Sequence, residues 1–174
     1  MLAFVFVLFA IAVRLDPTHL MAFTPVGAAL LYFGARGPKK LVWLPLTLFV
    51  LADIYLSIYQ YHNAVHADQY VSWVWYAGIL LLGTLLRRNA GPVQVLGASL
   101  ATALSFFAVS NFAVWAVWSM YPKTLAGLME CYTIGLPFFR HEVVSDVLFG
   151  AAFFGLPALA GALAGRRAEH KAAA

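Results

Sequence analysis

Charged side chains are scarce in this chain: they make up 10% of its 174 residues, whereas hydrophobic residues make up 63%. Soluble domains carry about 25% charged residues. A chain with a mean hydropathy of +0.84 cannot cover its surface with polar groups, so lipid must solvate much of it. The shortage of charge therefore excludes an ordinary soluble domain. The basic excess, a net charge of +4, is attributed to anchoring at the membrane and not to nucleic-acid binding.

The chain has only one cysteine, and the common catalytic motifs are missing. The single cysteine, Cys131, excludes an internal disulfide and a cysteine-based zinc site. No nucleophile elbow, phosphate loop, HExxH pair or haem-type pairing occurs, so the sequence predicts neither an enzyme nor a cofactor. The first residues have no basic region and no Ala-x-Ala site followed by a soluble domain, which favours a retained first helix over a cleaved signal peptide.

What the chain does have is a series of apolar runs, separated by short polar breaks that hold glycine and proline. This pattern predicts an all-α polytopic membrane helix bundle of about six segments, forming one transmembrane domain over residues 1–174. The first two segments are shorter than the roughly 20 residues of a spanning helix, so either the local bilayer thins or they form a shallow hairpin. The predicted segments cover residues 1–15, 24–36, 41–59, 70–86, 93–119 and 143–164.

Lysine and arginine are concentrated in every second break. Because basic residues near membrane spans are retained in the cytoplasm, we expect both termini to face the cytoplasm, in a multi-pass protein of the bacterial inner membrane. No basic residue lies in residues 60–69, which we expect to face outward. The basic residues on the predicted inner side are Arg36, Lys39, Lys40, Arg87, Arg88, Arg166, Arg167 and Lys171.

The stretch before the sixth segment departs from this pattern. Residues 124–136 are helix-like, but they carry Glu130 and are followed by Pro137. A helix so short and polar is predicted to lie at the interface, or to fold over the bundle, as part of the last outer loop. We therefore expect a break at Pro137, before segment six begins.

Two carboxylates, Asp53 and Asp146, lie within apolar runs. A carboxylate at the centre of a bilayer costs about 2.5–3.5 kcal/mol on insertion scales, so each should face the bundle interior or a wet cavity. The predicted orientation places both in the outer half of the membrane, where they could border one outward-facing pocket. Either they bind a polar ligand or relay protons, or each satisfies a helix end or pairs with Arg14 or Arg140.

Other side chains on the outer side could line the same pocket. Asn111 and His141 could hydrogen-bond a ligand, although a buried amide could equally bond between helices. The aromatic residues could stack on a ligand or cover it, or they could form only the aromatic belt of the interface. The predicted ligand-binding set is Asp53, Asn111, Asp146, His141, Trp115, Trp118, Tyr121, Arg14 and Arg140.

A weaker candidate is a metal site in the connector at 60–69. His62 and His66 are four residues apart, and Asp68 follows them. On a helix this spacing puts both imidazoles on one face, where two histidines and an aspartate could bind a zinc-like ion. The alternative is a pair of solvated loop histidines. A metal-dependent membrane enzyme would follow only from the first interpretation.

Several segments resemble a widespread, uncharacterised family of small bacterial membrane proteins. They are FTPVGAALLYFGA at 23–35, LADIYLS at 51–57, NFAVW at 111–115, YPKTLAGLMECYTIGLPFF at 121–139 and SDVLFG at 145–150. The resemblance spans most of the chain, and it places Asp53, Asn111 and Asp146 at matching motif positions.

The architecture is also similar to the substrate-binding S component of energy-coupling-factor vitamin transporters, which has six helices, internal termini and a pocket capped by outer loops. The resemblance implies a pocket that binds a small vitamin-like solute for uptake, together with an energy-coupling membrane protein and ATPases. An alternative is a non-transporting scaffold, which would assemble with other membrane proteins through small residues of segment six such as Ala160 and Gly161.

Overall fold

The computed structural model of the chain describes residues 1–16, 23–88 and 90–172. Within these residues it is all-helical and contains no strand, so the predicted all-α fold is confirmed. A 3-10 turn, Lys39–Leu41, precedes the third helix, and a π-helical turn, Leu56–Gln60, continues it. The six helices are α1 (Leu2–Leu15), α2 (Val26–Arg36), α3 (Trp43–Tyr55), α4 (Ala67–Leu85), α5 (Pro92–Val117) and α6 (Leu125–Ala172).

Three helical stretches are long and apolar enough to cross a membrane. They are Lys39–Gln60, Pro92–Val117 and Leu125–Arg166. The helices α1 and α2 are also apolar, but they are shorter. These lengths and compositions are those expected of a membrane protein.

The short helix α2 is enclosed by other helices. Of its 11 residues, ten are buried, and it packs against α1, α4, α5 and α6. Leu30, Leu31 and Phe33 are completely inaccessible, and each such side chain stabilises the fold by about 1.5–3 kcal/mol. Because protein and not lipid surrounds α2, its length need not match the thickness of a bilayer.

The helices α2 and α4 cross in backbone contact. A Cβ atom added at Gly34 would overlap the carbonyl oxygen of Leu80, and one added at Gly83 would overlap the carbonyl oxygen of Leu31. Paired small residues allow helix backbones to approach this closely. The two glycines therefore set the distance between α4 and the buried helix.

The last helix differs from the prediction. Residues 125–172 form one unbroken helix that passes through Pro137, so the expected interfacial helix over 124–136 with a break at Pro137 is wrong. Contacts with α5 on both sides of the proline offset the backbone hydrogen bond that it removes. These contacts are Gly135 against the amide of Asn111, and Phe139 with its ring centroid 4.6 Å from that of Phe107.

We predict that Gly34→Ala and Gly83→Ala each lower the melting temperature of the purified protein in detergent. The added methyl group must push two backbones apart, and overpacking of this kind costs about 1–3 kcal/mol. The matched control is Gly78→Ala, also on α4, where nothing lies within 4 Å of an added Cβ. That variant should be neutral or slightly stabilising, because alanine favours a helix over glycine. Equal melting temperatures for all three variants would contradict the close crossing.

Candidate functional site

The buried carboxylate of Asp53, with 4% of the residue exposed, joins three helices. Its Oδ1 accepts a hydrogen bond from Arg14 Nε at 2.7 Å. Its Oδ2 accepts one from Trp73 Nε1 at 3.1 Å and one from Tyr76 Oη at 3.0 Å. The structure therefore shows Asp53 in the ion pair with Arg14, one of the alternatives that the sequence left open.

The helix positions of these residues explain the cluster. Arg14 lies in the last turn of α1, and Asp53 lies near the end of α3. Trp73 and Tyr76 are three residues apart, so they lie on one face of α4. A carboxylate in an apolar bundle needs this set of donors, because an unpaired buried charge is very costly.

The second carboxylate, Asp146, lies against the first turn of α2, and 3% of the residue is exposed. Gly27 makes this possible, since a Cβ there would lie 2.5 Å and 2.9 Å from the two carboxylate oxygens. The backbone amide of Ala28 donates to the carboxylate, and the neighbouring Ser145 hydroxyl donates to the carbonyl oxygen of Thr24 at 2.8 Å. Asp146 thus complements the positive end of the α2 dipole from a different helix.

A polar pocket of about 110 Å³ opens beside Asp146. Asp146 Oδ2 is buried and has no hydrogen-bond partner among the residues that the structure describes. Because buried polar atoms normally have partners, this oxygen is an acceptor that a bound donor could satisfy. The described lining of the pocket is Arg14, Thr24, Val26, Gly27, Trp75, Tyr76, Phe106, Glu142 and Asp146.

Negative groups exceed positive groups in this pocket. Arg14 is already paired with Asp53, so the described lining offers no further cation to Glu142 and Asp146. These two residues are one helical turn apart on α6. Two carboxylates at such a site repel each other unless a proton or a cation neutralises them. The arrangement can therefore hold a proton or a positively charged group.

Arg14 also borders a second polar cavity, of about 80 Å³, which Asp53 and Ser57 line. There Gln69 Nε2 donates to Ser57 Oγ, and Gln69 Oε1 accepts from the backbone amide of His66 at 3.1 Å. The expectation that Asp53 and Asp146 border one pocket is therefore not met. They line different cavities, because Arg14 and Tyr76 cover the oxygens of Asp53 on the side of the first pocket.

Asn111 lies at the α5–α6 interface and not in the described lining of either cavity. Its Nδ2 donates to the carbonyl oxygen of Phe107, one turn earlier, at 2.9 Å. Its side-chain Oδ1 accepts from Cys131 Sγ at 3.9 Å, and its backbone carbonyl oxygen lies 3.4 Å from the same sulfur. In this structure the amide therefore serves contacts within and between helices.

The Tyr121–Thr124 segment forms the turn between α5 and α6. Trp115 Nε1 donates to the carbonyl oxygen of Pro122 at 2.9 Å. Lys123 Nζ donates to the carbonyl oxygens of Trp115 and Trp118, where a cation complements the negative end of a helix. Thr124 Oγ1 accepts from a backbone amide in the first turn of α6. These contacts of Pro122, Lys123 and Thr124 all serve to form the turn between the two helices.

The remaining predicted residues lie outside the described lining of the polar pocket. Arg140 and His141 are exposed on α6, and Tyr121 is half-buried in the turn. The ring of Trp118 lies 4.5 Å from that of His66. Sequence reasoning missed Glu142, although its position one turn before Asp146 was a usable signal.

The weak metal candidate rests on a helix that does not form. Residues 61–66 are not helical, and His62 has a φ of 52°, so the spacing does not place His62 and His66 on one face. Across the described residues no group of three or more histidine, cysteine, aspartate or glutamate side chains could hold a metal ion. The structure therefore does not support the weak candidate formed by His62, His66 and Asp68.

We predict that Asp53→Asn destabilises the protein by about 3 kcal/mol, because Arg14 loses its charge partner inside the bundle. The double variant Arg14→Gln/Asp53→Asn should cost less than the sum of the two single variants, since it leaves no unpaired charge. Thermal unfolding in detergent measures both, with Glu130→Gln, an exposed carboxylate on α6, as the control. Additive losses in the double variant would show that the pair is not a coupled unit.

Comparison with known proteins places these features within one family. The chain matches a family described as a family of unknown function (DUF6580) over residues 1–169. No curated protein and no solved structure matches it. The polar pocket and the Asp53 cluster both lie within the matched range.

Proposed function

Since the chain belongs to the DUF6580 family, whose function is unknown, we propose from its geometry that the protein binds a small, positively charged solute beside Asp146 and supports its uptake. The observation that carries the proposal is the buried Asp146 Oδ2, which has no partner among the described residues. It shares its pocket with a second carboxyl group, that of Glu142. A solute with a protonated amine would supply both the donor and the charge that this pair needs.

The walls of the pocket suit such a solute. Trp75 Nε1 donates to Ser105 Oγ at 2.9 Å, and the Trp75 ring packs against Phe106 with centroids 4.7 Å apart. These contacts hold both rings in place, and aromatic faces attract cations. The carboxyl of Asp146 complements the α2 dipole, so Glu142 is the group left to neutralise the charge of the solute.

The volume of the pocket limits the size of the solute. About 110 Å³ is well below the 300–1,000 Å³ typical of pockets for drug-sized ligands. A solute of a few non-hydrogen atoms fits the pocket as it stands. A vitamin-like solute, as in the S-component form of this proposal, requires the helices that border the pocket to move apart.

The proposed orientation puts all six helices across a bacterial inner membrane, with both termini in the cytoplasm and the pocket in the outer half. The distribution of basic residues supports it: Lys39, Arg87 and Arg88 lie around the C-terminal end of α4, beyond the middle turns that contain Trp75 and Tyr76. In this orientation the protein would deliver its solute inward with an energy-coupling membrane protein and ATPases.

The test is ligand-dependent melting of the purified protein against a panel of small amines, inorganic cations and vitamins. A binding compound at 100 times its Kd should stabilise the protein by about 2.7 kcal/mol. Glu142→Gln should abolish the stabilisation because it removes the charge that neutralises the solute. Asp146→Asn should abolish it because an amide NH2 group would replace the unpaired acceptor Oδ2. Glu130→Gln, an exposed change on the same helix, should leave it intact. The proposal fails if no compound raises the melting temperature, or if all three variants respond like the wild type.

A second candidate function, a membrane scaffold, rests on the last turns of α6. Leu156, Leu159 and Leu163 are exposed, and nothing lies within 4 Å of a Cβ added at Gly161 or Gly165. Small and apolar residues in this pattern allow a second helix to pack closely. Photocrosslinking from position 161 in cells tests it: a stable heterologous partner without any ligand favours the scaffold, and crosslinks to lipid alone exclude it.

A further inference from the structure

A basic groove of about 560 Å³ lies between the start of α3 and the end of α4. Its cations are Lys39, Arg87 and Arg88, and its apolar wall includes Leu81 and Leu85. The groove lies at the C-terminal end of α4, whereas the polar pocket meets α4 in its middle, at Trp75 and Tyr76. The two share no described lining residue, so the proposed role of the groove does not rest on a solute bound beside Asp146.

Among the described residues, no carboxylate neutralises the cations of this groove. No aspartate or glutamate belongs to the described lining, and no ion pair involves Lys39, Arg87 or Arg88 in the part of the chain that the structure describes. Arg36 and Lys40 are exposed nearby in sequence and add to the positive charge. Like charges gathered in this way repel one another and attract an anion from outside the protein.

Arg87 is held in position for such an anion. Its Nη2 donates to the carbonyl oxygen of Gly37 at 3.0 Å, which ties the end of α4 to the connection between α2 and α3. Its Nε is buried and has no hydrogen-bond partner among the described residues. A fixed guanidinium with an unused donor is well suited to a phosphate group, which accepts several hydrogen bonds.

The apolar wall distinguishes a lipid from a free phosphate. Leu81 and Leu85 are 66% and 75% exposed. They lie one turn apart in the last turns of α4, and Arg88 follows the end of that helix. Lys39 begins the candidate span Lys39–Gln60, so the cations lie where an apolar stretch ends. Basic pockets at the ends of membrane helices bind anionic headgroups. We propose that this groove binds an anionic phospholipid, with its phosphate on Lys39, Arg87 and Arg88 and an acyl chain along Leu81 and Leu85.

The experiment titrates the purified full chain in detergent with phosphatidylglycerol or phosphatidylcholine and counts bound lipid by native mass spectrometry. We expect phosphatidylglycerol to be retained in preference to phosphatidylcholine. Lys39→Gln/Arg88→Gln should weaken phosphatidylglycerol binding about 30-fold, since each cation near a membrane surface contributes about 1 kcal/mol. Both side chains are exposed, so the melting temperature without lipid should not change.

The matched control is Arg36→Gln/Lys40→Gln, which removes the same charge from residues that do not belong to the described lining of the groove. It should weaken phosphatidylglycerol binding less than the groove variant does. An equal loss in both double variants would show diffuse attraction and overturn the site. The lipid assignment is also overturned if the wild type does not prefer phosphatidylglycerol, or if millimolar inorganic phosphate displaces it.

Discussion

The ion pair between Arg14 and Asp53 is the constraint on which the rest of the bundle depends. A charge within an apolar bundle must be matched by charge and by hydrogen bonds, and here Trp73 and Tyr76 complete the set. The requirement brings the ends of α1 and α3 to one face of α4. It also leaves the guanidinium of Arg14 between two polar cavities, so the interaction that stabilises the fold also separates them.

The buried helix α2 connects the two proposed sites. Its first turn meets Asp146 of α6, and Thr24, just before it, accepts from Ser145. Further along, α2 crosses α4 at Leu31 and Gly34, and its end leads to Gly37, which accepts from Arg87. At about 1.5 Å per residue, its 11 residues span about 16 Å. The proposed solute pocket and lipid groove therefore lie near opposite ends of this one helix.

The positions of the helices could be predicted because apolar runs and Gly-Pro breaks are local signals. Within the helix that contains Pro137 the local signal was misleading, since contacts with α5 outweigh the effect of one proline. The burial of Asp53 and Asp146 also followed from the sequence, because lipid cannot solvate a carboxylate. Their separation by Arg14, and the absence of Asn111 from the described lining of the pocket, depend on how helices rotate against one another, and no local pattern reports that.

The length of α6 has a mechanical consequence. Its 48 residues, at about 1.5 Å each, make a rod of about 72 Å, more than twice the thickness of a hydrocarbon core of about 30 Å. Force applied to its C-terminal turns is therefore transmitted along the rod to Ser145, which bonds to Thr24, and to Asp146, which contacts the first turn of α2. Pro157 lies between these C-terminal turns and Asp146, and a helix bends most easily at a proline. The stiffness of the helix at Pro157 therefore decides how much of a force on its C-terminal turns is transmitted to Ser145 and Asp146.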